Sequence, residues 1–132
     1  MRGPHRVLLA EDDGFLRKAA SVALRRQGYE VITAADGHEA LEAARRDRPD
    51  IILLDLIMPR LQGFDVLRAL KADPETADIP VIVLTNLSQE RDRDELLARG
   101  AVAYLVKSDI SLEEVGRIVA RTLEATCPRT RS

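Results

Sequence analysis

Short apolar runs alternate along the chain with longer segments in which apolar residues recur at helical spacing. The runs predict five strands, over Val7–Ala10, Glu30–Ala34, Ile51–Leu54, Val81–Leu84 and Ala101–Val106. Four of them are continuously apolar, which is typical of strands covered on both faces of a parallel sheet. The run 30–34 is more mixed and is predicted to lie at an edge of the sheet.

The segments between and after these runs predict five helices, and their ends carry recognisable signals. Gly28 is placed to end the first helix with a positive φ angle. Asp36 with Glu39, and Ser111 with Glu114, have the spacing of a capping box, in which two residues satisfy backbone N–H groups reciprocally. The helices are predicted from about Gly14 to Gln27, from Asp36 to before Pro49, from Gly63 to Ala72, from near Ser88 to Gly100, and from Ser111.

The alternation of strands and helices predicts an α/β fold. Parallel strands need crossover connections, and right-handed crossovers place helices on both faces of a sheet. We therefore expect a doubly wound (βα)5 architecture with a five-stranded parallel sheet. At 132 residues the chain suits one domain with a sizeable core.

Composition and charge narrow the functional class. A net charge of −2 gives no basic field for nucleic acid, and no apolar stretch approaches the ~20 residues of a membrane span. The first residues contain no apolar segment typical of a signal peptide. The single cysteine, Cys127, cannot build a disulfide framework, which fits a reducing compartment. We therefore expect a cytoplasmic protein that contacts neither nucleic acid nor membrane.

Polar residues follow four of the predicted strands. Asp55 lies within the apolar segment 51–59, where an unpartnered buried carboxylate would be costly. Asp55 therefore either starts a turn after the strand or belongs to a site that binds a metal or carries out a reaction. The carboxyl ends of parallel strands share one edge of the sheet, where ligands bind in open α/β folds. The other strand-end residues are Glu11, Asp12 and Asp13 after the first strand, Thr85 after the fourth and Lys107 after the fifth.

Carboxylates gathered at one edge favour a hard divalent cation, and oxygen ligands with open water positions suit Mg²⁺. Lys107 supplies a compact positive charge, and Thr85 a hydroxyl donor, for phosphoryl oxygens. A carboxylate nucleophile such as Asp55 can form an aspartyl-phosphate. These residues therefore favour phosphoryl chemistry.

Taken in order, these segments resemble the receiver domains of two-component response regulators. The resemblance covers about Arg6 to Glu124, predicting a receiver domain over 6–124 and a short polar tail over 125–132. It implies a flavodoxin-like fold with strand order 2-1-3-4-5. The matching segments are Leu8-Leu9-Ala10-Glu11-Asp12-Asp13, Leu53-Leu54-Asp55-Leu56-Ile57-Met58-Pro59 with Gly63, Val83-Leu84-Thr85, and Gly100 to Lys107.

The resemblance also implies a role for each site residue. Asp55 would accept a phosphoryl group from a histidine kinase or histidine phosphotransferase, with Thr85 and Lys107 contacting the phosphoryl oxygens. Thr85 and Tyr104 would form the conformational switch. The implied ligands of Mg²⁺ are Glu11, Asp12, Asp55 and the backbone carbonyl of Ile57.

The acidic triplet allows two registers, and two positions depart from the family pattern. We prefer Glu11 and Asp12 as the acidic pair, with Asp13 starting the helix and remaining the second choice. Ser108 follows Lys107 where the family usually has proline, so the loop after the lysine is expected to take a different path. Asn86 follows Thr85 where a smaller residue is common.

The resemblance implies a signalling switch that controls a protein partner or an output domain, as a monomer or a weak phosphorylation-dependent dimer. Its only catalysis would be its own phosphotransfer and slow autodephosphorylation. One alternative is a phosphorylation-silent protein-interaction module. Another is a phosphatase or phosphotransferase of the haloacid-dehalogenase type, but Ile57 occupies the position of that family's second aspartate.

Overall fold

The computed structural model describes residues 5–55, 63–85 and 90–126. Within them, five strands alternate with five α-helices, as the sequence predicts. The strands are β1 (Arg6–Ala10), β2 (Glu30–Ala34), β3 (Ile51–Asp55), β4 (Val81–Thr85) and β5 (Ala103–Val106). The helices are α1 (Gly14–Arg26), α2 (Gly37–Asp47), α3 (Gly63–Ala72), α4 (Glu90–Ala98) and α5 (Leu112–Thr126).

The strands form one parallel sheet in the order β2-β1-β3-β4-β5. This confirms the predicted doubly wound fold and its strand order. β3 pairs with β1 and β4, so Asp55 ends a strand that is hydrogen-bonded on both sides. All five of its residues are buried, which explains the continuous apolar run before the carboxylate.

Two apolar layers enclose the sheet. Alternate strand residues point to opposite faces, so Leu8 and Ile52 pack with α2 and α3, whereas Val7 and Leu53 pack with α1 and α5. Leu96 brings α4 onto the first of these faces. The same alternation decides which helices each strand-end side chain faces.

Local capping signals fix several helix ends. Asp36 Oδ1 accepts from the backbone N–H of Glu39 at 2.9 Å, and Ser111 with Glu114 forms the complete capping box that the sequence predicts. Gly28 has a φ of +98°, which confirms its predicted place after α1. These signals are local, so the sequence is sufficient to reveal them.

The strand β5 differs from its prediction in length and burial. It begins at Ala103 rather than Ala101, because the N–H of Ala101 bonds to the carbonyl of Leu96 and closes the end of α4. Its four residues are half-buried because β5 is an edge strand. The predicted start of α4 near Ser88 lies outside the described residues, as does Cys127. Among the helices described, none is long and apolar enough to cross a membrane.

Candidate functional site

Three predicted site residues project from the carboxyl edge of the sheet toward α1 and α5. Leu53 and Leu105 pack on the α1 and α5 face. Asp55 lies two residues beyond Leu53 on β3 and therefore shares its face, and Lys107 begins the turn directly after β5. The N–H of Glu11 bonds to the carbonyl of Ala34 at 3.0 Å, so β1 remains extended to Glu11 and the same alternation applies. Strand pairing and strand period therefore bring these side chains together.

The carboxylates of Glu11, Asp12 and Asp55 form a compact cluster. One ligand oxygen from each lies within 4.8 Å of the others. Glu11 and Asp55 are buried, whereas Asp12 is exposed and leaves the cluster open to solvent. Three convergent carboxylates with an open side suit a hard divalent cation that retains water ligands.

Lys107 closes the cluster on the side of β5. Its Nζ donates to Glu11 Oε1 at 2.6 Å and lies 3.4 Å from Asp55 Oδ2. Burial alone would lower the pKa of Lys107, but the hydrogen bond to Glu11 and the charges of Asp55 and Glu11 raise that pKa above the usual range. The side chain is therefore a protonated ammonium at neutral pH, facing two carboxylates.

Asp13 has a different function from its two acidic neighbours. Its Oδ1 accepts from the N–H groups of Phe15 and Leu16, at 2.9 and 3.1 Å, and caps α1. This geometry agrees with the register in which Glu11 and Asp12 are the acidic pair. Asp13 begins the helix, as that register predicts.

Sequence reasoning missed Arg17. Its Nη1 donates to the carbonyl of Glu11 at 2.8 Å and lies 3.3 Å from the carbonyl of Asp12. The guanidinium therefore holds the backbone that carries two of the three clustered carboxylates. The sequence signal was the position of Arg17 one turn beyond Asp13 on α1. Side chains on a helix point toward its N-terminus, so a long side chain at this position reaches back to the end of β1.

Thr85 and Tyr104 lie on the other face of the sheet. Thr85 is fully buried at the end of β4 and pairs with Val106, whereas Tyr104 pairs with Val83. Residues two apart on a strand share a face, so Thr85 and Tyr104 share the face covered by α2, α3 and α4. The half-buried ring of Tyr104 packs against that apolar layer. Thr85 and Tyr104 therefore lie on one face of neighbouring strands, two register positions apart.

A short helical turn begins at Lys107. Lys107–Asp109 form a 3₁₀ turn, and no cis peptide bond occurs in the described part of the chain. Two residues named above, Ile57 and Asn86, lie outside the described residues.

An apolar groove between α1 and the start of α5 adjoins the cluster. We call it the α1–α5 groove. It encloses about 340 Å³, with Glu11 and Lys107 among its lining residues. Its other lining residues include Phe15, Leu16 and Leu112. Phe15 is 81% exposed, so an aromatic ring stands in solvent beside the charged cluster.

Comparisons with known proteins agree with this geometry. The family model of the response regulator receiver domain matches residues 7–119. The transcriptional regulatory protein PrrA of Mycobacterium tuberculosis is 44% identical over 115 residues, which are 87% of this chain and 48% of that protein. The chain spans about half or less of the length of the curated relatives it matches.

Two solved structures share both fold and sequence with the chain. The chemotaxis protein CheY4 of Vibrio cholerae has a TM-score of 0.84 at 34% identity, covering 90% of this chain and 98% of that chain. The receiver domain of the sensor histidine kinase PA1611 of Pseudomonas aeruginosa has a TM-score of 0.83 at 33% identity, covering 92% and 98%. That structure holds a magnesium ion in its active-site cleft.

Proposed function

We propose that this chain, which belongs to the response regulator receiver domain family, is a phosphoacceptor switch centred on Asp55. Receiver domains of two-component systems are signalling switches rather than enzymes that turn over a separate substrate. The observation that carries the proposal is the placement of Asp55 at the end of a central strand. There, Glu11 and Asp12 lie within 4.8 Å and Lys107 lies at 3.4 Å.

The proposed reaction is phosphoryl transfer from a phosphohistidine of a histidine kinase or histidine phosphotransferase. A carboxylate oxygen of Asp55 attacks phosphorus, the new O–P bond forms and the N–P bond breaks. The bonding electron pair remains on the imidazole nitrogen of the donor, which takes up a proton. Lys107, already protonated beside Asp55, faces the negative charge on the transferred group. Slow autodephosphorylation would follow when water attacks the same phosphorus.

The carboxylate cluster fits the Mg²⁺ that the family implies. Glu11, Asp12 and Asp55 supply the hard oxygen ligands that this ion prefers, and the exposure of Asp12 leaves room for water or phosphoryl oxygens. When bound, Mg²⁺ would neutralise charge on the transferred group. The backbone carbonyl of Ile57 remains a predicted ligand outside the described residues.

Phosphorylation of Asp55 is proposed to act through Thr85 and Tyr104. Thr85 ends the strand next to β3, and its hydroxyl would contact a phosphoryl oxygen. Tyr104 lies on the same face of the neighbouring strand, so a displacement of Thr85 changes the packing available to the ring. A two-state equilibrium of this face would then report the phosphorylation state to a protein partner.

The α1–α5 groove is the proposed docking site of the phosphohistidine donor. It is continuous with Glu11 and Lys107, and Phe15 offers an exposed aromatic anchor beside the acceptor. A donor helix seated here would bring its imidazole to Asp55. Phe15→Ala is expected to slow phosphorylation by a histidine kinase that phosphorylates this chain, and to leave the rate with acetyl phosphate unchanged. Equal slowing with both donors would contradict docking through Phe15.

What the domain controls in a complete protein is also a proposal. PrrA is named a transcriptional regulatory protein and is about twice as long as the matched region, so we propose that the switch serves an output domain or a separate protein. Any DNA contact would belong to such an output domain. Four statements stay predictions: the domain bounds 6–124, the tail over 125–132, the cytoplasmic location, and the oligomeric state of a monomer or weak dimer.

Acetyl phosphate with Mg²⁺ tests the phosphoacceptor directly. Intact-mass spectrometry of the wild-type protein is expected to show one added phosphoryl group, released by hydroxylamine as expected of an acyl phosphate. Asp55→Asn is expected to show none. Asp13→Asn is the matched control, because asparagine retains the helix cap and the variant loses the same charge one residue beyond the acidic pair.

Each outcome has a distinct meaning. Labelling of wild type and Asp13→Asn, but not of Asp55→Asn, supports the proposal. Loss of labelling in Asp13→Asn with retention in Asp55→Asn would overturn the assignment of the acceptor. A wild-type protein that neither labels nor binds Mg²⁺ would instead be a phosphorylation-silent interaction module.

A further inference from the structure

An open groove lies between α1 and the edge strand β2, and we call it the α1–β2 groove. It has a volume of about 360 Å³ and is lined by Gly14, Arg17, Lys18, Ser21, Arg25 and Thr33. The α1 members recur at intervals of three or four residues, so they form one stripe along the helix. No carboxylate lines the groove, and neither Asp55 nor Lys107 does.

The cations of this groove lack acidic partners. Arg17, Lys18 and Arg25 form no ion pair within the described residues, whereas Arg45 pairs with Asp73 and Arg99 with Glu95. The cause is visible in the sequence, because α1 carries four basic residues and no acidic one. In a chain with a net charge of −2, this helix is a local concentration of positive charge.

Two of the cations are already held in position. Arg17 donates from Nη1 to the carbonyls of Glu11 and Asp12, and Arg25 donates from Nη2 to the carbonyl of Val31 at 3.3 Å. Each guanidinium has five N–H donors, so both retain donors for another acceptor. Holding these side chains reduces the conformational entropy that binding a ligand would otherwise cost.

Ser21 adds an independent observation. Only 4% of the residue is exposed, and its hydroxyl makes no hydrogen bond within the part of the chain that the structure describes. Thr122 on α5 shows the usual alternative, donating to the carbonyl of Ile118 one turn earlier at 2.8 Å. The hydroxyl oxygen is not among the solvent-inaccessible atoms that lack a partner, and it lines a groove walled by cations, so it can donate to a ligand oxygen there.

We propose that the α1–β2 groove binds a small phosphate monoester. The phosphoryl group would accept hydrogen bonds from Ser21 and from the basic side chains Lys18 and Arg25, with Thr33 at the β2 wall. Hydrogen-bond donors on both a helix and a strand can contact different oxygens of one phosphoryl group. The volume exceeds the needs of inorganic phosphate alone and leaves room for a small organic body. The site is separate from Asp55, so this proposal does not depend on the proposed function.

The test uses the Asp55→Asn chain without Mg²⁺, so that phosphorylation cannot contribute. Ribose 5-phosphate and adenosine 5′-monophosphate are titrated at constant ionic strength, with ribose, adenosine and sulfate in parallel. Amide resonances of residues 14–33 are followed by NMR. The two phosphate esters are expected to shift resonances of α1 and β2 in a saturable way, and ribose and adenosine are not.

Variants separate a built site from general attraction to positive charge. Arg25→Gln and Lys18→Gln are each expected to weaken binding about tenfold, and Ser21→Ala several-fold. Arg68→Gln is the matched control, because this exposed arginine lies on α3 at the opposite face and loses the same charge. Absence of saturable shifts overturns the proposal, as does equal weakening by Arg68→Gln or equal binding of sulfate. Amide spectra of each variant show whether the fold is retained.

Discussion

The ammonium of Lys107 donates a 2.6 Å hydrogen bond to Glu11, joining residues 96 positions apart in the chain. Lys107 follows the edge strand β5, and Glu11 follows β1, with β3 and β4 between them. The long lysine side chain therefore spans the carboxyl edge of the sheet and passes Asp55. This contact connects the metal-binding carboxylates that we propose to the residue that faces the phosphoryl group.

Lys107→Met is expected to tighten Mg²⁺ binding about threefold to tenfold while slowing phosphorylation by acetyl phosphate. The substitution removes a cation that competes with Mg²⁺ for Glu11 and Asp55, and it also removes the charge that meets the phosphoryl oxygens. Calorimetric Mg²⁺ titration and initial labelling rates give the two values. Lys107→Arg retains the charge and is expected to leave Mg²⁺ affinity near wild type. Weaker Mg²⁺ binding in the methionine variant would contradict this electrostatic account.

Arg17→Met is expected to lower the free energy of unfolding by about 1 to 2 kcal/mol, because the buried carbonyl of Glu11 loses a charged donor. Arg17→Lys should restore part of that stability. Lys18→Met changes the adjacent exposed cation, which makes no such bond in the described chain, and is expected to cost under about 0.5 kcal/mol. Urea denaturation measures all three. Equal costs at 17 and 18 would show that the Arg17 contact contributes nothing specific.

Asp13→Ala is expected to destabilise the protein by about 1 kcal/mol, whereas Asp13→Asn should cost only a few tenths. Alanine leaves the N–H groups of Phe15 and Leu16 without their cap, and asparagine supplies another acceptor. Thermal unfolding compares the two variants. A large loss of stability in the asparagine variant would mean that the charge of Asp13, rather than its hydrogen bonds, stabilises α1.

The capping box at α5 should make stability depend on pH in the acidic range. The hydrogen bond from the N–H of Ser111 lowers the pKa of the Glu114 carboxyl below its ordinary value of 4.5. Because the folded-state pKa is lowered, the ionised carboxylate contributes stability above pH 4.5, and the contribution is lost as pH falls through the folded-state pKa.

Melting temperatures of wild type and Glu114→Gln across pH 3 to 7 should therefore converge in acid and separate above about pH 5. Glutamine keeps an acceptor for the box, so the difference isolates the charge. A constant difference across the range would refute this linkage.

The positions of the strands, the helix N-caps and the strand-end acids could be predicted from the sequence because each depends on nearby residues. The apolar run before Asp55 predicts a buried strand whichever neighbours it has. Asp36 and Ser111 cap helices through residues only three positions away. The resemblance to receiver domains implied the strand order, and the strand-end positions predicted that Glu11, Asp12, Asp55 and Lys107 gather at one edge.

The remaining features depend on contacts between distant segments or on geometry that composition does not specify. The half-buried state of β5 follows from its place at the sheet edge, and its shorter length follows from the way α4 ends. The bond from Arg17 to Glu11 depends on where a long side chain turns after α1 packs on the sheet. The position of Ser21 in a groove wall depends on what β2 places opposite α1.

The sequence by itself thus determined the elements, their order and the chemical character of the edge, because local periodicity and residue type carry that information. The sequence allowed two registers of the acidic triplet, and the tertiary structure decided between them, with Asp13 capping α1 while Glu11 and Asp12 join Asp55. Only the tertiary structure decided that the cations of α1 line a groove against β2. The physical reason is that side-chain directions and distances become fixed only once strands pair and helices pack. A carboxylate, a guanidinium or a hydroxyl acquires its partner at that stage.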